Sequence, residues 1–176
     1  ITDTWERPGG GGGITRVMTN GSIIEKGGVN FSAVWGKMPE PVLKSMQLHG
    51  EPDFFATGVS IVMHPFNPMV PIIHMNVRYF EIVFPDDESK NRWWFGGGID
   101  LTPHYIDPDD ARYFHRRLKE VCDRHHPSCY TQFSKWADDY FFIKHRKETR
   151  GNGGIFFDYL KDENGFTKES RFEFIK

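Results

Sequence analysis

The sequence predicts an α+β fold, a large and mostly antiparallel sheet flanked by helices. Two observations carry this. Over roughly the first hundred residues, short stretches of strand-like character are joined by tight turns or prolines, the pattern of an antiparallel sheet. From Asp107 the apolar positions recur at the three-and-four spacing of amphipathic helices. The chain has 176 residues, enough for one domain with a sizeable core.

The elements follow in order. Five glycines at 9–13 lack the Gly-Lys-Ser/Thr ending of a phosphate loop and read as a flexible entry loop. Residues 14–19 and 22–26 flank Asn20-Gly21, a strong hairpin signal. A further strand is expected over 29–35 and a short helix over 39–48. Residues 55–63 read as a strand, and Pro65, Pro68 and Pro71 make a rigid loop. That loop leads into a strand over 72–84, and another strand starts at Trp93. Asp107 is placed to cap a helix that begins at Pro108, with Asp110 as its capping partner. Ala111, Phe114, Leu118, Val121 and Cys122 form its stripe. A second helix is expected from 130 to 147, with Phe133, Trp136, Ala137, Tyr140 and Phe141 inward. Residues 150–154 form a loop, 155–160 a strand and 167–176 a helix.

Composition limits the function. A net charge of −2 argues against nucleic acid as partner. Sixteen Phe and five Trp point to a ring-rich core or a broad apolar cleft. Cys122 and Cys129 make neither a disulfide framework nor a zinc motif, which favours a reducing compartment. No apolar run reaches membrane-spanning length and no signal peptide is evident. The chain starts at Ile1 without an initiator Met, and the stripe holding Phe172 and Ile175 has barely begun when Lys176 is reached. The single domain is therefore expected to lack N-terminal and C-terminal parts.

The chemistry concentrates between 72 and 104. In Ile-Ile-His-Met-Asn-Val-Arg-Tyr-Phe-Glu (72–81), strand alternation puts His74, Asn76 and Arg78 on one face and Ile73, Met75 and Val77 on the other. Such a face is either an ordinary outward polar surface or a site that holds an anion and moves a proton. The Arg78 fork suits a carboxylate, but it would equally suit an ion pair with Glu81 or an Asp. Asp100 follows Gly96-Gly97-Gly98 and either reaches a substrate or caps a turn. Arg150, in a Gly-rich loop, suits an anion. Ser60 lacks the context of a nucleophile elbow but has a hydroxyl to donate. His64, His74, His115 and His145 are candidate ligands for a divalent metal, although no His-x-His or His-Glu-x-x-His motif is present.

These segments, with Gly-Val-Ser-Ile-Val-Met-His-Pro (58–65), Trp-Ala-Asp-Asp-Tyr-Phe-Phe-Ile-Lys-His-Arg (136–146) and Arg-Gly-Asn-Gly-Gly-Ile-Phe-Phe-Asp (150–158), closely resemble oxygen-dependent coproporphyrinogen III oxidases. The resemblance runs from about Trp5 to the last residue. It implies a large antiparallel sheet flanked by helices, a homodimer, and conversion of two propionates of a tetrapyrrole to vinyl groups with O2 and loss of CO2. It implies His74 as proton donor, with Ser60, Asn76, Val77, Arg78 and Arg150 at the substrate. Asp100 would hold or deprotonate a pyrrole N–H.

No cofactor beyond O2 is implied, and no flavin, haem or nicotinamide motif is present. Some members are described with a metal on the positions matching His64, His74, His115 and His145. The alternatives are thus a His-ligated metal oxygenase and a non-catalytic tetrapyrrole carrier. A cytoplasmic location is expected, with mitochondrion or plastid open. Two departures stand out. Asn152 occupies a position where the family usually has Ile, and the family extends further, into a second Gly-Gly-Arg loop and much of the dimer contact.

Overall fold

The computed structural model describes residues 1–163 and 165–176. Its centre is a seven-stranded antiparallel sheet. Six strands form a meander in chain order: β1 (Thr2–Glu6), β2 (Gly11–Thr19), β3 (Ile24–Lys37), β4 (Asp53–Pro65), β5 (Ile72–Val83) and β6 (Arg92–Thr102). The short helix α1 (Glu40–Ser45) lies between β3 and β4. Two longer helices follow β6, α2 (Pro108–Asp123) and α3 (Cys129–Phe141). The two-residue strands β7 (Phe142–Ile143) and β8 (Glu148–Thr149) form a small ladder of their own. β9 (Gly154–Leu160) then returns to pair with β6, and α4 (Lys168–Ile175) closes the described chain.

The α+β layering is as the sequence predicts, with local corrections. The glycines at 9–13 are not all loop, because Gly11, Gly12 and Gly13 belong to β2 and pair with Val34, Ala33 and Ser32. Close packing explains the choice at Gly13, where a Cβ would sit 2.5 Å from the Trp5 ring. The second hairpin arm and the following strand are one continuous strand, β3. α3 ends at Phe141 rather than 147, and Phe142 is already extended. The apolar run Phe141-Phe142-Ile143 continues across that break, so its periodicity conceals it.

The hairpin turn is made by Asn20, which takes φ 60°. Asp107 caps α2 by accepting from the Asp109 N–H, one residue short of the expected Asp110. Thr167 and Ser170 form a reciprocal cap at α4.

The helices divide the core between the two faces of the sheet. On one face, Phe95, Ile155 and Phe157 pack with Cys122 of α2 and Cys129 and Phe133 of α3, and Phe174 and Ile175 of α4 join them. On the other face, and only at one end, Phe54 and Ile82 pack with Met38 under α1, next to Phe80 and Trp94. Further along, that second face carries Asn30, Ser60, His74, Asn76, Arg78 and Asp100, with Val62 and Phe156 among them.

Candidate functional site

Strand register assembles the polar face in three rows. Gly28, Val62, His74, Asp100 and Gly154 lie opposite one another across β3, β4, β5, β6 and β9. Asn30, Ser60, Asn76, Gly98 and Phe156 form the next row. Ser32, Gly58, Arg78 and Gly96 form the third. Neighbours in a row share a face, and successive rows lie two residues apart along each strand. From His74 to Arg78 is thus about 13 Å along β5.

At one end of this face, Asp100 is 2 % exposed. His74 Nδ1 donates to Asp100 Oδ1 at 2.8 Å, and Arg150 Nη2 donates to Asp100 Oδ2 at 2.8 Å. Asp100 is a strand residue and not a turn cap. The carboxylate fixes the His74 tautomer through Nδ1, so Nε2 is the nitrogen left for other chemistry. Arg150 reaches Asp100 because the β7–β8 ladder folds its loop back, with Arg150 N–H donating to Phe141 O at 3.2 Å. Its guanidinium lies 4.1 Å from the centre of the Phe141 ring.

Two rows away, Arg78 Nη1 donates to Asn76 Oδ1 at 2.9 Å, and Nη2 pairs with Asp158 Oδ2 at 3.0 Å. The Phe156 ring lies beside the same guanidinium at 5.7 Å. Of the two ion-pair options for Arg78, an Asp partner is the one found. That Asp is Asp158, which the sequence reading did not single out.

A bulge aims Asp158. The β6–β9 register shifts between Phe95 and Gly97, so Gly96 faces both Asp158 and Tyr159. Tyr159 takes φ 52° at the shift. Gly96 makes the Arg78–Asp158 contact possible, since a Cβ there would collide with Asp158 Oδ1 and stand 2.7 Å from Arg78 Nε. No sequence signal marks a bulge of this kind beyond the isolated glycines.

Ser60, Asn76, Arg78, His74, Asp100 and Arg150 therefore come together on one face. Val77 does not. It pairs with Val59 and Gly97 on the opposite face and lines an apolar cavity with Leu118, Val121 and Phe174. Alternation forces this, so any contact Val77 makes with the polar side is through its backbone.

The four histidines do not form one ligand set. Among the described residues, no group of three or more His, Cys, Asp or Glu side chains converges as a metal site. His64 shares the face of His74, one row further along β4. His115 uses both nitrogens elsewhere: Nε2 donates to Asn152 O at 2.8 Å, so Nδ1 accepts from the Tyr130 hydroxyl at 2.9 Å. His145 lies in the turn between β7 and β8. His74 is committed to Asp100 through Nδ1.

Both cysteines are free and buried. Burial, and then the neighbouring Cys129, pushes the Cys122 thiol up to about 12. On the helical face, burial and then Glu81 hold the Tyr79 phenol well above its ordinary range. Lys168 Nζ donates to that phenol oxygen at 2.6 Å and ties α4 to the sheet.

Comparison with known proteins finds a family match and named relatives. Residues 1–176 match the family model described as coproporphyrinogen III oxidase. The chain is 51 % identical over 180 residues to a Drosophila melanogaster protein named oxygen-dependent coproporphyrinogen-III oxidase, covering 98 % of this chain and 45 % of that one. It is 52 % identical over 168 residues to the Arabidopsis thaliana protein named coproporphyrinogen-III oxidase 1, chloroplastic, covering 91 % and 44 %. It is 50 % identical over 182 residues to the Rattus norvegicus protein named oxygen-dependent coproporphyrinogen-III oxidase, mitochondrial, covering 99 % and 40 %. The chain thus spans less than half the length of these relatives.

Proposed function

The chain belongs to the coproporphyrinogen III oxidase family, and from that premise we propose that the full protein oxidatively decarboxylates coproporphyrinogen III to protoporphyrinogen IX. The observation that supports this reading best is the convergence of His74, Asn76, Arg78 and Asp100 on one open sheet face. Balanced for one propionate, the carboxylate side chain plus O2 and one proton gives a vinyl group, CO2 and H2O2. The electron-rich ring releases two electrons to O2, and the carboxyl carbon leaves as CO2.

The scheme assigns each residue a task. Arg78 holds the reacting propionate by the edge of its guanidinium not taken by Asn76 and Asp158. Ser60 and Asn76 line the row between Arg78 and His74 and contact the substrate there. His74 Nε2 supplies the proton that reduced oxygen takes up in each step. General acid help of this kind is worth about 10²–10⁴ in rate. Asp100 works as a positioning residue, because burial and its two partners keep it behind His74 and Arg150. That departs from the expectation that it meets a pyrrole N–H directly.

O2 is the only co-reactant the scheme needs. The histidines do not fit a shared metal site, so no step is routed through one. Family membership also carries the proposal of a homodimer. The compartment is either the cytoplasm or an organelle such as those in the plant and rat relatives' names.

The test is turnover of coproporphyrinogen by the full-length protein with a chelator present. Divinyl product in air and none under argon supports the reading. Product formed without O2 contradicts it, and activity lost on chelation with stoichiometric iron favours the metal oxygenase. Tight tetrapyrrole binding without product would mark a carrier.

A further inference from the structure

Two carboxylates on the polar face touch His74 or Arg78, and they are placed differently. Asp100 is sealed, with both oxygens engaged. Asp158 is 22 % exposed at its side chain. Its Oδ2 meets Arg78, and its Oδ1 accepts from the Tyr159 N–H at 3.0 Å. A carboxylate has about four acceptor positions, so Asp158 keeps acceptor capacity. It borders a cavity of about 330 Å³ with Ser32, Arg78, Phe80, Trp94 and Tyr159. The ring centres of Phe80 and Trp94 are 4.6 Å apart, and those of Trp94 and Tyr159 5.2 Å, so an aromatic wall stands next to the acid.

A negative charge in a site for a polycarboxylate lowers affinity unless it recognises something in return. Arg78 is already held by Asn76 and flanked by Phe156, so tethering alone does not call for Asp158. Apart from its carboxylates, the reduced macrocycle has one set of hydrogen-bonding groups, four inward pyrrole N–H donors. The oxidised porphyrin keeps the same rim carboxylates but has two N–H donors and two imine nitrogens. A carboxylate is matched by the first and repelled by the lone pairs of the second. We propose that Asp158 is the recognition residue that selects the reduced, four-N–H ring over the oxidised one; this rests on the functional reading above.

The test uses the full-length protein under argon, titrated separately with coproporphyrinogen and coproporphyrin. Wild type is expected to prefer the reduced ring. Asp158→Asn, which removes the charge and keeps the shape, is expected to lose at least tenfold in affinity for the reduced ring and less than threefold for the oxidised one. Asp158→Ser, verified as folded by its thermal melt, serves if the amide variant does not fold. Equal losses for both ligands would mean that Asp158 acts only through Arg78, and would overturn the inference. Unchanged affinity for the reduced ring would overturn it too. Normal aerobic turnover by wild type alongside an unselective response in the variant would sink this inference alone. Wild type that binds neither ring would sink the functional reading with it.

Discussion

His74 Nδ1 lies 2.8 Å from Asp100 Oδ1, and the two residues are direct cross-strand partners of β5 and β6. The imidazole is thus oriented by a group that is itself buried and held by Arg150. That orientation leaves Nε2 as the His74 nitrogen available for proton transfer on the open face.

Asp100→Asn preserves shape but replaces a full acceptor with an amide. Turnover is expected to fall by about 10²–10⁴, with KM changed little because the rim contacts are untouched. Steady-state kinetics on full-length protein check this. Asp100→Ala is expected to lose about 1–3 kcal/mol of stability in addition, since it removes the shared acceptor of His74 and the half-exposed Arg150. A large rise in KM with normal kcat for Asp100→Asn would contradict the assignment of Asp100 as a positioning residue.

Gly96 leaves room for the Arg78–Asp158 contact, and a methyl group there would displace both. Gly96→Ala is expected to raise KM at least tenfold and to cost about 1–3 kcal/mol by overpacking. Titration with substrate and a denaturant melt read the two effects separately. Wild-type KM in the alanine variant would show that the Arg78–Asp158 pair does not matter for binding.

Asn152 carries a buried Nδ2 without a hydrogen-bond partner among the described residues. An orphaned buried donor is a cost that a hydrocarbon side chain does not incur. Asn152→Ile leaves intact both backbone bonds of the residue, N–H to Leu101 O and O from His115 Nε2. The variant is expected to be more stable by about 1 kcal/mol. A fall in Tm would show that the amide has a partner that matters.

Cys122 is fully buried, and its thiol is pushed up to about 12; burial also raises Cys129. An unfolded thiol ionises near about 8.5, so the folded state binds these protons more tightly. Their contribution to stability is full below about pH 8.5 and is lost as pH rises toward 12. Tyr79 acts in the same direction. At pH 8 the native thiols are expected to resist an aromatic disulfide reagent, and both to react in guanidinium. Rapid reaction of the native protein would contradict the burial.

Much of this was legible in the sequence because it depends on local rules. Alternation alone placed His74, Asn76 and Arg78 on one face and Val77 on the other, and the Asp107-Pro108 start of α2 follows from capping chemistry. What stayed hidden depends on pairing between distant segments. Asp158 meets Arg78 only because β9 pairs with β6 after a long excursion through two helices and bulges opposite Gly96. Asp100 is buried only because the Arg150 loop folds over it, and that fold-back begins at a helix end with no breaker residue. The glycines at 11–13 looked like a loop because glycine usually signals one, whereas Gly13 admits the ring of Trp5.

Arg78 lies at the centre of the account, and kcat/KM of full-length Arg78→Ala with coproporphyrinogen in air tests it most directly. The expected result is a loss of about 10²-fold or more, in keeping with removal of a charged partner from a substrate carboxylate, at an unchanged Tm. Wild-type kcat/KM in the folded variant would contradict the claim that this sheet face binds and turns over the substrate.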